Sequence, residues 1–373
     1  MANLSIISDG AVLIHNGVIE KVGTSRQVEN YAQARNAREI DAAGCVVLPA
    51  FVDPDVAFAA PVVVAPSEMP SPPETAESDI RRMSRRRLAG SANALATDLG
   101  RYGVLSVGAH TLFSPDLKTT LKALRLNKLV NSRPIRIRSV FAPPWAAGDA
   151  SGKHFERRKQ VWMPAIVRNE LASLLEIPVS DTSVDDAHAL ARAGAENGFN
   201  VRLRVAGVST RPIVELACAA GAISLIGIIL ENSTTSRALA DIGCVHVALA
   251  SQLLAGKYAS ARHSVDDGMP IALGSGYRND EAASLNPQFM LYAACQTLGL
   301  SAAEAIVAAT YNAACSLRCS HVTGSLELGK SADICVMDVD DYHELARRAG
   351  HHDTGLVMRA GKVIYRRPDL TFD

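Results

Sequence analysis

The most constraining feature of the chain is a unit repeated through its middle: a short apolar run, then a helical pattern, then the next apolar run. Candidate strands are Val104 to Ala109, Ile135 to Phe141, Leu174 to Val179, Asn200 to Val205, Ile223 to Ile228, His246 to Ala250 and Pro270 to Ser275. Helical patterns separate them, for example Asp181 to Asn197 and Arg211 to Ala220, and a long one, Ser301 to Leu317, follows the last strand. An earlier stretch, VVLPAFVDPDVAF from Val46 to Phe58, opens with a buried strand at Val46-Val47-Leu48 and makes the eighth unit. Apolar strands bounded by Gly fit a parallel sheet covered on both faces. Eight such units in 373 residues predict a (β/α)8 barrel of about 250 residues, with room for a smaller module. Such a barrel presents its functional side chains at the C-terminal ends of its strands, which places Asp53-Pro54-Asp55 at the mouth.

The two ends of the chain read as short strands. AVLIHNGVIEKVG is two apolar runs joined by Asn16-Gly17, a strong hairpin signal. Ala332 to Asp338 is a further strand, and Gly355 to Met358 and Lys362 to Tyr365 flank a second hairpin turn at Arg359-Ala360-Gly361. Strands at opposite ends of a chain most simply share one module. The expected division is a composite β-sandwich from residues 1–48 and 325–373, with residues 49–324 forming the barrel. Between 60 and 78, five of the chain's 17 Pro interrupt any element, so this is a long loop over the mouth, read as a lid.

Composition removes several function classes. With 38 basic and 38 acidic residues the net charge is zero, which argues against a nucleic-acid or anionic-membrane partner. The one basic run, Arg81-Arg82 and Arg85-Arg86-Arg87, lies in a helical segment and reads as a solvated or acid-contacting face. The seven Cys form no CxxC and sit mostly in apolar company, as expected of reduced thiols in a cytoplasmic protein. No run is long and apolar enough to span a membrane, and no signal peptide is visible at MANLSIISDG. Phosphate-loop, dinucleotide-fingerprint and zinc-finger spacings are absent.

The C-terminal third carries recognisable phrases. They are IALGSGYRNDEAASLNPQFMLYAACQTLGLSAAEAIVAATYNAA, then GSLELGKSADICVMDVDDYHEL, with Leu48-Pro49-Ala50-Phe51-Val52-Asp53 earlier in the chain. These resemble the imidazolonepropionases of the amidohydrolase superfamily, and Asp341-Tyr342-His343-Glu344-Leu345 narrows the likeness to that family. The resemblance implies a TIM-like barrel of the metal-dependent hydrolase type with a small composite β-sandwich. It also implies hydrolysis of C–N bonds in cyclic amides or amidines with a zinc or iron ion.

The site positions that the resemblance assigns are all changed. The two metal-binding His after the first strand fall at Asp55 and Ala57, the third His at Arg204, and the metal-binding Asp at Gly276. The catalytic His falls at Gly227. A substrate-binding Tyr falls at Phe113 and a further His near Pro144. Without imidazoles and a carboxylate no metal is held, and water keeps its bulk acidity. The expectation is therefore a chain with no cofactor and no ordinary metal-dependent hydrolysis. Arg204 is expected to point into the mouth, pair with Asp55 and replace a divalent cation by a fixed positive charge. His110, at the end of the second strand, is the third candidate for catalysis.

Tyr277, Arg278 and Asp280, after the eighth strand, are candidates for ligand recognition beside Arg204. Ser275 has no visible His–acid partner, so a triad is not supported. His246 sits at the wrong end of its strand for catalysis, and His351-His352 reads as a loop. Three functions stay open: a non-catalytic relative binding a small ligand or a partner subunit, an enzyme with metal-free chemistry at Asp55, His110 and Arg204, and a metal held by Asp53, Asp55 and His110. The expected assembly is a homodimer, or a hetero-oligomer with an active homologue.

Overall fold

The protein is described from a computed structural model over residues 4–58, 80–111, 114, 116–131, 134–143, 153–180, 183–205, 211–227, 233–254, 256, 261–277 and 284–370. The chain starts with an antiparallel hairpin, β1 (Gly10–His15) and β2 (Val18–Thr24), turned at Asn16-Gly17. Next come β3 (Val46–Pro49) and β4 (Phe51–Val56). Six more strands alternate with helices: β5 (Val104–His110), β6 (Arg136–Phe141), β7 (Leu174–Val179), β8 (Asn200–Val205), β9 (Ser224–Ile226) and β10 (Val245–Leu249). The eighth barrel strand is β11 (Ile271–Gly274), and β12 (Ile334–Met337), β13 (Thr354–Arg359) and β14 (Lys362–Arg366) finish the chain.

β4 to β11 form one eight-stranded sheet in chain order, parallel at every pairing. The ends of this sheet meet. Val56 bridges Tyr277 in parallel, and the Ala57 amide donates to the Tyr277 carbonyl at 2.9 Å. Beside this bridge, Asp53 Oδ1 accepts the Ser275 amide at 3.0 Å. Every residue of β4 is buried, as a barrel strand covered by helices requires. Inside, Val52, Val140, Leu174, Ile226, Val247 and Ala272 pack with Ala313, Ala314 and Leu317 from the last long helical segment.

One strand assignment is corrected. Val46-Val47-Leu48, counted above as the eighth barrel unit although the expected division at residue 48 set it outside the barrel, is not a barrel strand. β3 pairs antiparallel with β12 in a second sheet of order β14-β13-β12-β3, so both ends of the chain contribute to it. The barrel's first strand begins only at Phe51. Ala50 separates the two: its amide donates to the Asp333 carbonyl at 2.9 Å, on the side of the second sheet, whereas the Phe51 amide donates to the Gly103 carbonyl at 2.9 Å, beside β5. Exposure tells the strands apart: Val47 is 37% exposed, as on a one-sided sheet, whereas Phe51 is 0%. The β1–β2 hairpin lies on this second sheet. The Ile19 amide donates to the Lys330 carbonyl at 2.9 Å, and Ile19 packs with Ile334, Val336, Leu356 and Met358. No helix among the described residues is long and apolar enough to cross a membrane.

Candidate functional site

The barrel interior near its mouth holds four charged side chains on three strands. β4 brings Asp55, which is 2% exposed. β7 brings Glu176 and β8 brings Arg202, both at 0%, and two residues further along β8 lies Arg204. Alternation along a strand puts Arg202 and Arg204 on one face. The parallel register pairs Glu176 directly with Arg202.

The resulting contacts form a closed set. Arg204 donates from Nη2 to Asp55 Oδ1 and from Nε to Glu176 Oε1 at 2.6 Å, with a longer Nη2 contact to Glu176 Oε2 at 3.3 Å. Arg202 donates from Nε to Glu176 Oε2 at 2.8 Å, from Nη2 to Asp55 Oδ1 at 3.1 Å, and from Nη1 to the Pro54 carbonyl at 3.0 Å. Two guanidinium groups thus share two carboxylates, and the four charges sum to zero. Burial pushes the Glu176 carboxyl up, but Arg204 and Arg202 outweigh it and hold the group down at about 2. Asp55 and Glu176 raise Arg204 above the ordinary arginine range against its own desolvation. Buried ion pairs of this kind stand only when every partner is present.

Two further titratable groups adjoin this set. His110 ends β5, is 3% exposed, and places Nε2 3.9 Å from Asp55 Oδ1, too far for a hydrogen bond. Neither of its ring nitrogens has a hydrogen-bond partner among the described residues. Burial lowers its pKa to about 4, so the ring is neutral at pH 7. Asp53 serves the seam: its Oδ1 accepts the amides of Ser275 and Asp55, at 3.0 and 3.1 Å, and burial pushes its carboxyl up to about 7.

The other candidates separate. The Ser275 hydroxyl is occupied by backbone, donating to the Asp55 carbonyl at 3.4 Å and accepting the Tyr277 amide at 3.0 Å. Tyr277 packs against the apolar cluster between strands and helices and lines a groove with Asp98, Tyr102, His352 and Tyr365. Its ring is therefore on the helix side of the wall, because the bridge to Val56 fixes its backbone at the seam. His246 is the second residue of β10, at the strand-start end. His352 meets Tyr102 in a tilted contact, with ring centroids 4.7 Å apart and planes at 60°, while His351 Nδ1 lies 3.8 Å from Asp353. Arg278, Asp280, Phe113, Pro144 and the loop 60–78 lie outside the described residues.

The chain resembles known proteins along most of its length. The sequence model of the Amidohydrolase family matches residues 188–364. The imidazolonepropionase of Brevibacillus brevis is 24% identical over 390 residues, covering 98% of this chain and 92% of that protein. That of Geobacillus thermodenitrificans is 27% identical over 402 residues, with the same coverage. Among solved structures, a 5-methylcytosine deaminase from Klebsiella pneumoniae liganded with 5-fluorocytosine gives a TM-score of 0.74 at 17% identity, covering 97% of this chain and 95% of that one. An adenosine deaminase from Xanthomonas campestris with bound zinc gives 0.71 at 19% identity, covering 98% and 90%. These likenesses support placement in the amidohydrolase superfamily. Within it, the sequence is imidazolonepropionase-like.

A divalent metal does not fit the groups that this amidohydrolase-superfamily barrel collects. A cation needs free lone pairs and no competing positive charge. Asp55 Oδ1 already faces both guanidinium groups, and both Glu176 oxygens are taken. In the set Asp53, Asp55 and His110, Asp53 Oδ1 is held by the seam amides, while Asp53 Oδ2 is buried without a hydrogen-bond partner among the described residues. Among the described residues no three His, Cys, Asp or Glu side chains gather as a metal requires. The backbone at two of the assigned positions also favours glycine. Gly276, where the resemblance assigns the metal-binding Asp, has φ +63°, and a Cβ there would lie 2.6 Å from Ser251 Oγ. Gly227, at the assigned catalytic-His position, has φ +70°. Both conformations favour glycine over any larger residue.

Proposed function

We propose that this amidohydrolase-superfamily protein has exchanged a divalent metal for two fixed guanidinium groups and does not perform metal-dependent hydrolysis of cyclic amides or amidines. The barrel then serves as a scaffold that binds a small ligand at its mouth, or a partner subunit. One observation carries the reading: Arg202 and Arg204 occupy Asp55 Oδ1 and both Glu176 oxygens at the strand ends. A site whose charges already neutralise one another has little left to activate water. Arg204, with 21% of its side chain exposed, is the member of the set best placed to meet a ligand.

Elemental analysis of the purified protein, together with an assay of imidazolone ring opening, tests this. The expected result is substoichiometric metal and no turnover, with or without added zinc or iron. Stoichiometric metal, or turnover that a chelator abolishes, overturns it.

A second reading, metal-free catalysis at Asp55, His110 and Arg204, is favoured by the two unpartnered nitrogens of His110. A neutral imidazole with both nitrogens free can accept and donate a proton once a substrate reaches it. Turnover that survives chelation and is lost in His110→Phe supports this second reading. Absence of any turnover leaves the binding scaffold.

A further inference from the structure

Two neighbouring helices on the outer wall of the barrel carry a positive surface that their own carboxylates do not neutralise. They are α1 (Arg85–Arg101), between β4 and β5, and α2 (Leu117–Val130), between β5 and β6. Arg81 and Arg82 precede α1, Arg85, Arg86 and Arg87 open it, and Lys118, Lys122 and Arg125 lie on α2. Hydrogen bonds hold the two sets together. Lys122 Nζ donates to the carbonyls of Ile80 and Met83, both at 2.6 Å, and Arg81 Nη2 donates to Asp116 Oδ2 at 2.6 Å. The basic run is therefore pinned against the first half of α2.

Residues 80–131 contain two carboxylates, Asp98 and Asp116. Asp116 is committed to Arg81 and, at 2.8 Å, to the Thr119 amide. Asp98 sits beside Arg101 at 3.7 Å, about 20 Å along α1 from Arg85. The side chains of Arg82, Arg85, Arg86, Arg87, Lys118 and Arg125 are exposed and make no hydrogen bond or ion pair with any described residue. Because the whole chain has zero net charge, this local excess attracts at short range and not through the field of the entire protein. α2 adds a second feature. Lys118, Lys122, Arg125 and Leu129 are spaced i, i+4, i+7 and i+11, one stripe on one helix face. Leu129 is 63% exposed, so the basic stripe ends on an apolar side chain open to solvent. A line of phosphates gives such a leucine nothing to pack on, whereas a polypeptide supplies both carboxylates and apolar side chains.

We propose that α1 and α2 form a docking surface for an acidic helical segment of a partner polypeptide, whose carboxylates face these cations and whose apolar side chain packs on Leu129. Guanidinium groups suit the role, since each offers a carboxylate paired N–H donors. From Lys118 to Leu129 the stripe runs about 16 Å, the length of three helical turns in the partner. The surface lies on the outer wall, apart from the Asp55–Glu176–Arg202–Arg204 set, and metal content does not bear on it.

Fluorescence anisotropy of the full chain with a labelled helical peptide, carrying Glu at i, i+4 and i+7 and Leu at i+11, tests the proposal. Binding is expected to saturate at low salt and to weaken as NaCl is raised. The double variant Arg85→Glu, Arg86→Glu should weaken it about tenfold or more, and Leu129→Ala roughly threefold to tenfold. None of these side chains has an internal polar partner, so the variants should keep Tm within about 2 °C of the wild type. A peptide that does not bind at low salt, or that binds the charge-reversed variant unchanged, overturns the surface. Single-stranded DNA or phosphatidylserine vesicles that bind more tightly than the peptide, and equally well to Leu129→Ala, assign a general polyanion surface and overturn the polypeptide partner.

Discussion

Replacing Glu176 by Gln removes one negative charge from a buried set whose four charges sum to zero. Glu176 accepts from Arg202 Nε at 2.8 Å, from Arg204 Nε at 2.6 Å and from Arg204 Nη2 at 3.3 Å. After the substitution two guanidinium groups face one carboxylate, and the new amide NH2 points at donors. Breaking a buried pair from one side costs about 3–5 kcal/mol. A chain with a barrel-sized core loses about 2–4 °C per kcal/mol, so Tm should fall by roughly 6–20 °C. Arg204→Gln should be costly for the complementary reason. The double variant keeps one Arg and one Asp, is neutral again, and should recover about 2 kcal/mol or more of the summed losses. Chemical and thermal unfolding of the four proteins at pH 7, followed by circular dichroism, give the cycle directly. Additive losses, or a Glu176→Gln cost below about 1 kcal/mol, would refute the idea that the quartet is held by mutual neutralisation.

Three other outcomes follow from the geometry. Gly276→Asp, which restores the residue type assigned by resemblance, should destabilise by about 1–2 kcal/mol through its left-handed backbone and add no zinc affinity, read by unfolding and by zinc titration. Glu304 is held at about 2, chiefly by hydrogen bonds from Arg262, so its folded pKa lies below its unfolded one. Its stabilisation is present above the unfolded carboxylate range and lost as pH falls towards 2; Tm of Glu304→Gln should therefore depend less on pH between 5 and 3 than that of the wild type. Cys244, Cys319 and Cys335 are buried, with thiols pushed up to about 12, 11 and 12. They should resist iodoacetamide in the native protein while Cys45, Cys218, Cys295 and Cys315 label, as peptide mass spectrometry can resolve.

The barrel was readable because seven of its strands are short apolar-rich runs set between helical patterns, and those runs match the observed strands to within a residue or two. The eighth was misplaced. Val46-Val47-Leu48 looks like a barrel strand as letters, and only its partner, β12, reveals a sheet with one open face. Arg204 and Asp55 could be brought together from sequence because both sit at strand ends that converge in any barrel. Glu176 and Arg202 were missed, although a signal was present. Arg202 shares strand parity with Arg204, so an inward Arg204 implies an inward Arg202. A lone Glu in Leu174-Leu175-Glu176-Ile177 then has a reason to be there. What sequence could not supply was the register that sets Glu176 opposite Arg202, since that depends on the relative stagger of two strands 26 residues apart. The direction of Tyr277 was equally hidden, because it depends on a bridge to the other end of the sheet.

The seam has a consequence for how the chain is made. Asp53 and Ser275, which clasp across it, are separated by 222 positions. During synthesis β4 leaves the ribosome first among the barrel strands, and its closing partner leaves last. Throughout that interval β4, apolar and buried at every residue in the finished protein, presents an unpaired edge of the kind that recruits other chains. β3 waits longer still for β12. Long-range closure of this sort slows folding and lengthens exposure to aggregation. A chain cut short before β11 is therefore not a smaller barrel but a curled sheet with two sticky borders.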